Sequence, residues 1–172
     1  MTTRRYFLLG LGAVAAIGGG SLLLASRSHN RKLLGSQETP ADESFEIQRS
    51  ESEWRALLTE DQFAVLRKEG TERANSSPLL NEKREGTYHC AGCALPVYRS
   101  ADKYDSKTGW PSFTRAIENA VGTKLDTSLF STRTEVHCRR CGGHLGHIFD
   151  DGPRPSGNRH CINGLVLTFI AF

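Results

Sequence analysis

The chain has 172 residues, room for one domain of ordinary size plus a short extra segment. Its apolar content is 38% and it has 17 glycines, which suits a loop-rich domain that a metal helps to hold together. Residues 1–35 carry five basic residues and no acidic ones, so the net charge of +3 leaves 17 basic against 19 acidic residues in the remainder, and a basic footprint for nucleic acid is excluded there.

Residues 6–25 are uncharged and mostly apolar, diluted by Gly10, Gly12, Gly18, Gly19 and Gly20. Thr3-Arg4-Arg5-Tyr6-Phe7-Leu8-Leu9 leads into them. A paired arginine ahead of a long, weakly hydrophobic stretch resembles a twin-arginine export signal. The same stretch is long enough to span a bilayer, so residues 1–25 are read as a cleaved signal or a retained anchor. Either reading places the folded part in or facing the periplasm. Residues 26–44 are polar and aperiodic, a flexible linker, and the folded domain is expected over 45–172.

Trp54, Leu57 and Leu58 recur at i, i+3 and i+4, one face of a short helix. Thr59-Glu60-Asp61-Gln62 matches a capping box that opens a second helix, with Phe63 and Leu66 on its buried face and Gly70 as its stop. After Gly70 no helical periodicity remains. Residues 114–117, 131–137 and 164–172 are rich in β-branched and aromatic residues and are expected to be strands, the last a central core strand. The fold class is therefore mainly β, a small antiparallel fold behind two short N-terminal helices.

Five cysteines divide unequally. Cys90/Cys93 and Cys138/Cys141 form two Cys-x-x-Cys knuckles, 44 residues apart, each beside a glycine. Four thiolates at this spacing suit one tetrahedral, closed, structural zinc ion. A redox Cys-x-x-Cys or two structural disulfides are the alternatives. His89 and His137 precede the knuckles as surface or supporting residues. Cys161 is left over, between Arg159-His160 and Ile162-Asn163, and is read as a nucleophile; a buried structural thiol is the alternative. Gly109-Trp110-Pro111 is a rigid turn that presents an indole, either to a site or as a plug in the core. His144 and His147, three residues apart, are free for proton transfer near neutral pH.

In order along the chain stand Cys-Ala-Gly-Cys (90–93), Gly-Trp-Pro-Ser-Phe (109–113), Arg-Thr-Glu-Val (133–136), Cys-Arg-Arg-Cys (138–141), His-Leu-Gly-His-Ile-Phe-Asp-Asp-Gly-Pro (144–153) and Arg-His-Cys-Ile-Asn-Gly (159–164). Together they resemble the B-type methionine sulfoxide reductases over roughly residues 50–172. The resemblance implies a fold of two small antiparallel sheets and reduction of the R epimer of methionine sulfoxide, chiefly in proteins, by a monomer with a structural zinc and a thioredoxin-like electron donor. It implies Cys161 as catalytic thiolate, oxidised to a sulfenic acid, with His144, His147, Arg159 and Asn163 acting beside it. Trp110, Phe113 and Asp151 would contact substrate, and Arg159 with a neighbouring imidazolium would lower the thiol pKa. Many members carry a resolving cysteine just before Gly-Trp-Pro-Ser-Phe; here the residue is Thr108, which predicts a one-cysteine cycle. The rival reading is a non-catalytic zinc ribbon that binds a protein partner. It leaves Cys161, the paired histidines and the Trp110 loop without a purpose.

Overall fold

A computed structural model describes residues 44–172 apart from 129 and 130. The leader and nearly all of the linker lie outside the described residues. Among those described, no helix is long and apolar enough to cross a membrane.

Two helices come first. α1 (Glu51–Leu57) opens with a capping box, Ser50 with Glu53, and α2 (Glu60–Lys68) with the expected box, Thr59 with Gln62. Each box satisfies two orphan backbone donors, which is what lets helices this short hold their first turn. Phe63 and Leu66 are buried as their spacing requires. Trp54 is buried too, but Leu57 is 59% exposed. The chain leaves the helix at Leu58 with extended dihedrals, so Leu58 turns inward and Leu57 outward. At the end of α2 the left-handed residue is Glu69 (φ 57°), and the Gly70 N–H closes onto Ala64 O at 3.0 Å. A Cβ on Gly70 would lie 2.8 Å from that oxygen, so close approach rather than positive φ requires the glycine.

Nine strands follow among the described residues: β1 (Gly86–Cys90), β2 (Pro96–Arg99), β3 (Lys103–Tyr104), β4 (Ser112–Phe113), β5 (Val121–Asp126), β6 (Arg133–Cys138), β7 (His144–Phe149), β8 (Arg159–Ile162) and β9 (Leu167–Ala171). They form two antiparallel sheets, ordered β2-β1-β9 and β3-β4-β8-β7-β6-β5. The expected strand over 114–117 is irregular: Thr114 N–H is diverted to Asp102 O and Ile117 N–H to Val97 O. The C-terminal stretch also differs from expectation. Gly164–Val166 is a 3₁₀ turn, and β9 pairs with β1 alone, as the edge of its sheet. Only one of its faces is covered, which leaves Ile170 50% exposed.

Aromatic packing fixes the strand that carries Cys161. Phe113 is fully buried, stacked on Tyr98 (centroids 4.3 Å) and edge-on to Tyr88 (5.0 Å). It is the cross-strand partner of His160, whose Nδ1 hydrogen-bonds the Tyr98 hydroxyl at 3.1 Å. Because side chains alternate along a strand, turning His160 toward this core turns Cys161 to the other face.

Candidate functional site

The two knuckles are built alike. Cys90 N–H donates to Leu95 O (2.8 Å) and Cys138 N–H to Gly143 O (2.9 Å). Four residues after each strand cysteine the N–H returns to its carbonyl, Ala94 to Cys90 and Gly142 to Cys138, both at 2.8 Å. Ala94 and Gly142 both adopt positive φ, 57° and 66°. Gly142 has a second constraint, since an added Cβ would sit 2.3 Å from the Phe45 ring. The matched turns bring the four Sγ atoms within 4.8 Å of one another, with Cys90–Cys141 at 3.7 Å and Cys93–Cys138 at 3.4 Å. A tetrahedral ion with metal–sulfur bonds of about 2.3 Å has sulfur–sulfur edges of about 3.8 Å. The donor set therefore fits one metal ion. His89 and His137 are engaged elsewhere: His89 with Ala94 O and the Thr87 hydroxyl, His137 with Glu135.

The second site lies where β7 and β8 pair. Residues directly opposed on neighbouring antiparallel strands share a face. Ser112, Cys161, His147, Glu135 and Lys124 are opposed in turn across β4, β8, β7, β6 and β5. Cys161 thus stands beside His147 in a polar row that crosses the sheet. Gly146 permits the close approach, since a Cβ there would be 2.0 Å from the Cys161 carbonyl oxygen.

A cavity of about 150 Å³ opens over this row. Cys161, His147, Trp110 and Asn163 line it, as do Thr71, Arg133 and Phe149, which sequence reasoning did not assign to the site. The Trp110 indole N–H donates to Glu72 O at 3.1 Å, which fixes the ring at the wall. Asn163 is tied at both ends of its amide: Oδ1 accepts from Glu72 N–H (2.9 Å) and Nδ2 donates to Leu145 O (3.1 Å). The Glu72 carboxylate accepts from the N–H groups of Gly164 (2.6 Å) and Leu165 (2.9 Å). Glu72 therefore stitches the Trp110 loop to the turn after β8 and sets Thr71 on the cavity.

The other expected site residues lie outside the cavity lining. His144 is 2% exposed, with Nδ1 donating to Glu135 at 2.8 Å and Nε2 buried without a partner among the described residues. Phe113 belongs to the aromatic core, because its position on β4 puts it on the face opposite Cys161. Asp151 is exposed and clamps Arg159 with two hydrogen bonds, 2.8 and 3.0 Å, while the guanidinium lies over the Phe149 ring at 4.5 Å. Arg159 reaches the neighbourhood of the thiol as a supporting cation, already paired.

The electrostatics follow from burial. Burial pushes the Cys161 thiol above its ordinary pKa, and Asp151 adds to this; Arg159 and the Thr108 hydroxyl oppose it without prevailing. Arg159 does lower the thiol pKa as expected, but desolvation is larger and the net shift is upward. His147 is pushed down, chiefly by burial, with Arg133 and His144 adding and Asp126 opposing. The resting pair is therefore a thiol beside a neutral imidazole. Burial also works against the Glu135 carboxylate, but hydrogen bonds from His137 and His144 and the charges of His144 and Lys124 carry it down to about 2. Glu135 and Arg133 had a sequence signal, the Arg-Thr-Glu-Val motif; Glu72 and Asp126 had none.

A family model described as the SelR domain matches residues 58–171. The peptide methionine sulfoxide reductase MsrB of Methanosarcina barkeri is 49% identical over 124 residues, covering 72% of this chain and 87% of the relative. That of Leptospira interrogans is 44% identical over 127 residues, 73% and 97% of the two chains. The human mitochondrial methionine-R-sulfoxide reductase B2 is 47% identical over 132 residues, 72% of each. With a matching domain model over most of its folded part and relatives this similar across most of their length, the chain belongs to the SelR-domain family, the B-type peptide methionine sulfoxide reductases.

Proposed function

We propose that this chain reduces methionine-R-sulfoxide, chiefly in proteins, to methionine, with Cys161 as nucleophile and His147 as proton donor. The observation that carries the reading is that a thiol, an imidazole and a fixed indole share one small cavity. Trp110 and Phe149 offer an apolar wall for the substrate methyl, and His147 a polar one for the sulfoxide oxygen. A chiral sulfur that must satisfy both while facing Cys161 fits in one configuration only.

The resting charges suggest the order of events. Attack needs an anionic sulfur on Cys161 and a proton on the sulfoxide oxygen, whereas burial keeps the pair as thiol and imidazole. Passing the thiol proton through His147 to the oxygen supplies both. The Cys161 sulfur then attacks the sulfoxide sulfur, which gains two electrons and departs as the thioether. The oxygen and its proton end on Cys161 as a sulfenic acid, so one thiol and one sulfoxide give one sulfenic acid and one thioether. Two external thiols then return Cys161 to the thiol, releasing water and a disulfide; a thioredoxin-like dithiol fits this role. The other described cysteines are the knuckle four, which the metal would engage, so an external thiol is needed.

Cys90, Cys93, Cys138 and Cys141 would hold one zinc ion, whose chemistry here is structural: four thiolates close its shell and leave no position for substrate. The leader supports export, with the domain working in or facing the periplasm. The test of the whole reading is an assay on each sulfoxide epimer with dithiothreitol as reductant, for wild type and Cys161→Ser. Consumption of the R epimer alone, abolished in the variant, is expected; equal use of both epimers, or turnover by the variant, rejects it.

A further inference from the structure

We propose that Asp126 is a positioning residue for the reaction, orienting the His147 ring and balancing its charge during proton transfer. The inference rests on the reading of His147 as proton donor. His147 Nε2 lies 2.8 Å from Asp126 Oδ2. An ionised carboxylate only accepts, so Nε2 carries the hydrogen. The other ring nitrogen, Nδ1, makes no hydrogen bond among the described residues, and the ring lines the cavity. Asp126 thereby selects the tautomer that leaves Nδ1 free to take a proton and pass it on.

The carboxylate is itself held rigidly. Oδ2 also accepts from Arg133 Nη2 at 2.6 Å, and Oδ1 accepts from the Ser128 N–H (2.9 Å) and hydroxyl (2.6 Å). These bonds keep Asp126 ionised, well below the usual carboxylate range. Asp126 and Arg133 are cross-strand partners on β5 and β6, so the sheet fixes the pair before any substrate arrives. The charged and titratable groups around His147 are Asp126 from β5, Arg133 and Glu135 from β6, His144 from its own strand and Cys161 from β8. Asp126 is the anion in direct contact with the ring, and it also offsets Arg133, which disfavours the imidazolium.

The two partners therefore make opposite predictions. With Asp126→Asn, His147 loses its counter-ion and faces an unpaired Arg133. The acid limb of single-turnover reduction, which follows protonation of the resting His147 imidazole, should move to lower pH by about one unit, and the share of the pair present as thiolate and imidazolium, and with it the rate at neutral pH, should fall about tenfold. With Arg133→Met, Asp126 serves His147 alone and the limb should move to higher pH. Asp126→Glu should recover part of the loss. Nitrogen-15 NMR of His147 in the resting, metal-loaded protein reads the same effect without catalysis: a single Nε2–H tautomer in wild type, a mixture in Asp126→Asn. Unchanged His147 resonances in Asp126→Asn overturn the inference, as do shifts of the limb in the same direction for both variants. If Asp126→Asn does not fold, the NMR titrations of Asp126→Glu and Arg133→Met decide by the same signs. Should His147→Gln itself leave the single-turnover rate unchanged, the reading of His147 as donor fails, whatever the tautomers show.

Discussion

Cys161 and His147 are directly opposed cross-strand partners, fourteen positions apart in sequence and adjacent in the sheet. Neither end of the pair is free to drift. On the Cys161 side, His160 is anchored to Tyr98, and Ile162 N–H donates to Pro111 O at 2.9 Å. On the His147 side, Asp126 holds the ring. The distance between the Cys161 thiol and the His147 ring is thus set by strand pairing, the least deformable part of the fold.

Burial of Cys161 makes its pH dependence unusual for the nucleophile proposed here. Its pKa is raised, so the reactive thiolate appears only above the ordinary thiol range of about 8.5. In the metal-loaded protein, alkylation of Cys161 by iodoacetamide, followed by mass spectrometry across pH, should reach half its maximal rate above that value. Asp151 raises this pKa and Arg159 lowers it, so Asp151→Asn should move the midpoint down and Arg159→Met should move it up. A wild-type midpoint below about pH 8 would show that Arg159 outweighs burial after all.

The knuckles tie β1 and β2 to β6 and β7, and β6 and β7 also carry Glu135 and His147. Removing the metal with a chelator under reducing conditions should therefore lower the melting temperature and abolish activity together. Metal binding of this kind contributes on the order of 10 kcal/mol to folding. Within the turns the two left-handed positions predict opposite outcomes. Ala94→Gly relieves an unfavourable conformation and should stabilise by about 0.5–1 kcal/mol, whereas Gly142→Ala should destabilise by more than about 1 kcal/mol. Thermal melts of the metal-loaded variants check both, and full activity in the stripped protein would contradict the structural role.

Local sequence carried the parts of this molecule that local chemistry determines. Thr59 and Gln62 announced α2, the two Cys-x-x-Cys pairs announced the metal site, and Cys161 stood out by its odd count. Pairing between distant strands left less trace. Nothing in Asp126 or Glu72 marks them, because each matters only through a partner brought near by the sheets, His147 across β5–β7 and Trp110 across the loop. Phe113 was misplaced for a related reason: its motif says that it is near Trp110, but strand parity decides that it faces the core. The apolar run at β9 suggested a central strand, since hydrophobicity alone does not distinguish an edge strand with one covered face from one paired on both sides.

Glu72 ought to act on substrate binding rather than on the chemical step. Its carboxylate accepts two buried backbone N–H groups, and bonds of this charge-assisted kind are worth about 1.5–3 kcal/mol each. Glu72→Ala should loosen the segment to which Trp110 and Asn163 are tied, raising KM for the sulfoxide several-fold with a smaller change in kcat. Steady-state kinetics with Trp110 fluorescence would read both effects. An unchanged KM would mean that the indole keeps its place without this brace.

Thr108 occupies the place from which an internal thiol could relieve the proposed sulfenic acid. Its hydroxyl is close enough to the Cys161 sulfur to favour the thiolate, and it is hydrogen-bonded to Ser106 at 2.9 Å, which bonds Ser112 at 2.7 Å. A thiol introduced here would stand next to Cys161, so Thr108→Cys should convert the cycle to one that ends, after a single turnover, in a disulfide between the introduced thiol and Cys161. The wild type should instead accumulate a sulfenic acid on Cys161 that dimedone traps. Replacing the hydroxyl by Thr108→Val should raise the Cys161 midpoint slightly without creating a disulfide, which separates the electrostatic contribution of Thr108 from its position. Mass spectrometry of the quenched reactions distinguishes the species, and a stoichiometric internal disulfide in the wild type would contradict a one-cysteine cycle.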